Sequence, residues 1–140
     1  MSSRARMMVI LLTLAVGTMA MPATSSAQPV AYGGGCETIA GVRPCIAATG
    51  SSMPLTISAD FYLTSFDWAD SAGFADFYVC VGIACYYEYT VQTSYLGHYP
   101  VAQEPTNNGS GNGNSEVDIF DSSLTYQGTA ISPTQYWVPN

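Results

Sequence analysis

From Leu55 onward, apolar and polar side chains alternate without a break. Leu55, Ile57, Ala59, Phe61 and Leu63 fall on one parity, and Thr56, Ser58, Asp60, Tyr62 and Thr64 on the other. Successive side chains of a strand point to opposite faces, so this stretch predicts a strand with one face buried and one wet. "FDWADSAG" (66–73) then supplies turn formers. The segment "ADFYV" (75–79) echoes "ADFYL" (59–63), which suggests a hairpin folding one copy onto the other.

The most strand-like run, "FYVCVGIACYYEYTV" (77–91), holds two cysteines around Gly82-Ile83. Gly-X is the signature of a type II′ turn, whose twist suits a tight hairpin. Val81 and Ala84 would close that turn. Cys80 and Cys85 would form the next, non-hydrogen-bonded pair, with Cα atoms about 4.5 Å apart, a separation that disulfide geometry accepts. In this register Phe77 faces Glu88 and both faces are mixed, unless a bulge shifts the parity. A single continuous strand would instead send Cys80 and Cys85 to opposite faces, to pair separately with Cys36 and Cys45. The turn chemistry favours the hairpin, and with it Cys80–Cys85 and Cys36–Cys45.

Beyond Leu96 the texture changes. "GHYPVAQEPTNNGSGNGNSE" reads as a long exposed loop, about residues 97–115. "EVDIF" and "SLTYQGTAI" resume short strand-like runs, and Pro133 and Pro139 confine any final strand to an edge or a short segment. The expected fold is all-β: a small antiparallel β-sandwich or partly open barrel, stapled by two disulfides.

The N-terminus has another character. Arg4 and Arg6 precede an apolar run, Met7 to Val16, followed by Gly17, Pro22 and small residues ending in Ser25-Ser26-Ala27. This is the layout of a signal peptide over residues 1–27, with Thr18-Met19-Ala20 a second cleavage candidate. The run is well short of the roughly 20 residues a membrane span needs. Residues 28–140 are then one secreted domain, extracellular or periplasmic. It carries Arg43 against ten acidic residues, one positive charge against ten negative, for a net −9. The chain has no lysine, so nucleic acid and anionic membrane surfaces are disfavoured as partners. Four cysteines in a small exported chain argue for disulfides. Their C-x8-C and C-x4-C spacings, with His98 the sole histidine, match no zinc motif.

Candidate chemistry is sparse. His98 sits in "YLGHYP" with no nucleophile-elbow pattern in the chain. No spacing brings two of Asp60, Asp67, Asp70, Asp76 and Glu88 to the defined separation that glycoside hydrolysis requires. Read as a calcium loop from Asn108, Gly113 falls at position six, but position twelve is Ile119 rather than glutamate. No catalysis, metal or cofactor is expected. The aromatic content points elsewhere. Trp68, Tyr86, Tyr87, Tyr95, Tyr99 and Trp137 stand near Asp, Asn, Gln or His, and Trp68, in a turn, is the best exposed candidate. Rings beside polar groups can hold a sugar or anchor a protein interface. The expected function is a non-catalytic binding module for an extracellular glycan or surface protein. Self-assembly into a matrix is one alternative. An enzyme inhibitor presenting the clamped tip Val81 to Ala84 is another.

Overall fold

The computed structural model describes residues 28–139, and the expected signal peptide lies outside them. The strands are β1 (Val30–Gly33), β2 (Gly35–Cys36), β3 (Val42–Thr49), β4 (Thr56–Leu63), β5 (Phe74–Val81), β6 (Ala84–Gln92), β7 (Gly97–Pro105), β8 (Gly111–Phe120), β9 (Tyr126–Ile131) and β10 (Gln135–Val138). They build two antiparallel sheets: a four-stranded one in the order β2-β3-β4-β7, and a six-stranded one in the order β1-β10-β8-β5-β6, with β9 also paired to β8. The sheets stay open and face each other, so the architecture is a sandwich. No helix among the described residues is long and apolar enough to cross a membrane.

Alternation in β4 builds half of the core. Ile57, Ala59, Phe61 and Leu63 are all at most 2% exposed, with Leu55 buried just ahead of them. Ala75, Phe77, Val79, Val117 and Ile119 answer from the other sheet, and the Phe61 and Phe77 rings meet 5.4 Å apart. Burying one such side chain contributes about 1.5–3 kcal/mol. The echoed segments are therefore not hairpin partners. β4 pairs with β3 and β7, and β5 with β6 and β8. Both echoes bury the same face, so they pack across the core instead of side by side. The 64–73 connection carries the chain between sheets. Asp70 anchors it, accepting hydrogen bonds from Ala72 N (2.8 Å) and, in the β8–β9 turn, from Ser122 N (3.2 Å). These bonds hold its carboxyl below the usual range.

The hairpin expectation holds. Val81 pairs with Ala84 and Cys80 with Cys85, and the disulfides are Cys36–Cys45 and Cys80–Cys85. Gly82 has φ +64°, the positive value a type II′ turn demands at its first central residue. A bulge settles the parity conflict: Phe77 pairs with Tyr89 and Tyr78 with Tyr87, leaving Glu88 as the extra residue.

The long loop expected at 97–115 is replaced by two strands, leaving only residues 106–110 as a connection. Its small residues reflect crowding rather than flexibility. A Cβ on Gly111 would come within 2.6 Å of the Trp137 ring, so only glycine lets that ring lie over β8. In β7, Tyr99 and Ala102 are both buried although three residues apart. A bulge opposite Asp60 absorbs the odd spacing. Because β8 is extended, Asn112, Asn114 and Glu116 fall on one parity and line up along one face of the strand, where Asn114 Nδ2 donates to Glu116 Oε1 at 3.2 Å.

Candidate ligand-binding groove

The wet parity of β4 becomes the outer face of the four-stranded sheet. Cross-strand pairing lines it up in rows: Arg43, Tyr62 and His98; Cys45 and Asp60; Ala47, Ser58 and Gln103. Alternate residues along a strand repeat at roughly 7 Å, so the three rows span about 14 Å. Over them lies a groove of about 530 Å³, lined by Arg43, Tyr62, Asp60, Ser58, Val101 and the Cys36–Cys45 bridge. That bridge ties edge strand β2 to β3. From the opposite sheet, buried Ser115 donates its hydroxyl to Cys45 O at 3.0 Å. The floor is thus fixed from both sides.

Contacts within the rows orient the side chains. The Tyr62 and His98 rings stack at 4.6 Å. The Arg43 guanidinium carbon lies 6.0 Å from the Tyr62 centroid, at the limit of cation–π range. His98 Nε2 lies 2.7 Å from Asp60 Oδ2, and Gln103 Nε2 donates to Ser58 Oγ at 3.1 Å. The Asp60 side chain is 20% exposed and that of His98 45%, so the pair contributes little to stability. Arg43 is the only Lys or Arg among the described residues, and it makes no salt bridge with any of them. Its guanidinium is an uncommitted donor fork at one end of the groove.

The six aromatics singled out in the sequence do not converge. Trp68 is half-buried, packed on the core with its ring against Gly128. Trp137 is 1% exposed, a core residue whose Nε1 donates to Gly109 O at 3.1 Å. Tyr99 is also buried, stacked between Phe61 and Tyr95. Only Tyr86, Tyr87 and Tyr95 stand exposed. The first two lie on β6, and Tyr95, in the β6–β7 turn, donates its hydroxyl to His98 O at 2.9 Å. Sequence reading missed Arg43 and Tyr62 as a site. The signal was there in part: Tyr62 sits on the polar parity of the clearest strand, and Arg43 is the lone cation.

Tyrosine chemistry elsewhere is structural. Burial, then the Asp76 and Asp118 charges, push the Tyr78 hydroxyl up. Burial, then the Asp60 and Glu88 charges, do the same to Tyr89, whose hydroxyl donates to Pro100 O across the sandwich edge. At that edge Glu88 has a buried Oε1 without a partner among the described residues. Burial and the neighbouring Glu104 carboxyl raise its pKa.

No family model, characterised protein or solved structure matches this chain.

Proposed function

We propose that the protein is an exported, non-catalytic binding module that takes an extracellular glycan into the groove on the outer face of the four-stranded sheet. The observation carrying this reading is the uncommitted Arg43 fork beside the Tyr62 ring and Asp60, over a floor held rigid by a disulfide. Size favours a small ligand over a protein surface. A groove of about 530 Å³ falls within the range of small-molecule sites, whereas a protein partner needs about 800 Å² of matching surface on each side. The signal-peptide pattern supports export, as do two disulfides, which persist in oxidising compartments.

Pull-down with a polysaccharide panel tests the reading. At least one polysaccharide is expected to retain the oxidised protein, and Tyr62→Ala should weaken retention at least tenfold with the unfolding midpoint unchanged. Failure of every polysaccharide would contradict it. A second reading has one observation behind it: Ile83 is fully exposed at the clamped hairpin tip, as an inhibitor's anchor would be. Capture of a protein partner that Ile83→Asp abolishes, while Tyr62→Ala does not, would favour that reading instead.

A further inference from the structure

We infer that the groove selects a sugar bearing a single carboxylate, of the uronic-acid class, with Arg43 holding the carboxylate. The inference rests on the glycan reading and deepens it.

Charge bookkeeping is the starting point. Ten acidic residues accompany Arg43 in residues 28–140, yet among the described residues none forms a salt bridge with it. Asp60, directly diagonal to it in the next row, is held by His98 instead. A guanidinium presents a planar fork of N–H donors that matches the two oxygens of a carboxylate. The Tyr62 ring on one side leaves the fork's outer edge to the groove.

Other anions fit less well. A phosphate monoester brings close to two negative charges at neutral pH, and one arginine beside Asp60 balances only one of them. A polyanion meets long-range repulsion from residues 28–140, whose one Arg against ten acidic residues gives a net −9, screened only beyond about 8–10 Å. One carboxylate is neutralised one for one.

Asp60 then sets the ligand's direction. Its Oδ1 carries no hydrogen bond among the described residues and accepts ligand hydroxyls. It also repels a second anionic group from the middle of the groove. The carboxylate therefore lies at the Arg43 end, with neutral hydroxylated sugar running over Asp60 toward Ser58.

The test is an NMR titration of the ¹⁵N-labelled, oxidised protein with methyl glucuronide, the methyl ester of that glycoside, and methyl glucoside. The ester keeps every hydroxyl and removes the charge. Methyl glucuronide is expected to shift the Arg43 side-chain N–H and the Tyr62 and Asp60 amides, with the ester at least tenfold weaker. Arg43→Gln should bring the glucuronide down to the ester's affinity while leaving the amide spectrum of the core unchanged. Equal affinity for acid, ester and neutral glycoside at the same residues would overturn the carboxylate assignment and leave the glycan reading standing. A sugar 6-sulfate binding as tightly as the glucuronide would overturn it too. If none of these glycosides shifts the groove and no polysaccharide retains the protein, both statements fall.

Discussion

The two outer faces of the sandwich treat their polar groups in opposite ways. On the six-stranded sheet, Asp76 and Asp118 sit directly opposite one another in the β5–β8 pair. Each accepts a hydrogen bond from its flanking strand. Thr90 Oγ1 donates to Asp76, and Thr129 Oγ1 to Asp118. With the threonine protons so used, the tyrosines donate in turn, Tyr87 to Thr90 and Tyr126 to Thr129, both at 2.7 Å. The two relays correspond residue for residue. Both flanking strands carry Tyr-x-x-Thr, and both have a one-residue bulge at the same place, Glu88 in β6 and Gln127 in β9. A half-turn about the midpoint of Asp76 and Asp118 exchanges hairpin β5–β6 with hairpin β8–β9. On the four-stranded sheet Asp60 likewise uses one carboxylate oxygen, taken by His98; the difference is Arg43, which has no acid partner among the described residues. The comparison separates polar groups that hold a sheet together from polar groups left for something else. Abundant exposed tyrosine, by itself, does not mark the proposed binding face.

The largest expected effect comes from the core that both faces share. Trp137→Ala should cost about 3–5 kcal/mol, read by denaturant unfolding. At temperatures where the variant stays folded, retention on polysaccharide should match the parent; selective loss of binding with stability intact would return Trp137 to the site. Next, Thr90→Val and Thr129→Val each leave one carboxylate without its hydroxyl donor, at about 1 kcal/mol apiece. The half-turn relation predicts equal costs and no effect on binding. Costs differing by more than about 1 kcal/mol would break the equivalence of the two hairpins.

The smallest effect lies at the sandwich edge. Because the Glu88 pKa is raised, the folded state holds its proton more tightly than the unfolded chain does. Stability is therefore lost as pH rises from the ordinary glutamate range through the raised value. Glu88→Gln should remove that loss. It should leave the protein more stable than the parent at pH 7 by a few tenths of a kcal/mol, given how much of the group is exposed to solvent, and no different at pH 3. Chemical unfolding at the two pH values measures this, and a variant less stable at pH 7 would contradict the repulsion between Glu88 and Glu104.

Legibility in the sequence followed the same division between local and non-local causes. β4 was readable because one of its faces is buried and the other wet. The Cys80–Cys85 clamp was readable because Gly82 sets its turn locally. β7 and the start of β8 were not, since their glycines and prolines answer to neighbours far along the chain. Gly111 makes room for Trp137, and Pro100 lies at a bulge on an edge strand. The echo of "ADFYL" in "ADFYV" was visible but pointed to the wrong partner. The true internal correspondence, Asp76 with Asp118, is hidden by connections of unequal length. For the groove, Asp60 and Tyr62 were placed on a wet face and Arg43 was counted as the lone cation. Only the pairing of β3, β4 and β7 brings them together with His98, and no local pattern encodes that pairing.

The most direct test is a map of which face a retained glycan touches. Amide shifts of the ¹⁵N-labelled protein with a bound oligosaccharide fragment should be confined to the outward positions of β3, β4 and β7, centred on Arg43, Asp60 and Tyr62. Shifts centred instead on Asp76, Asp118, Tyr87 and Tyr126 would contradict the account, because they would place the ligand on the face of the two threonine–tyrosine relays and away from Arg43.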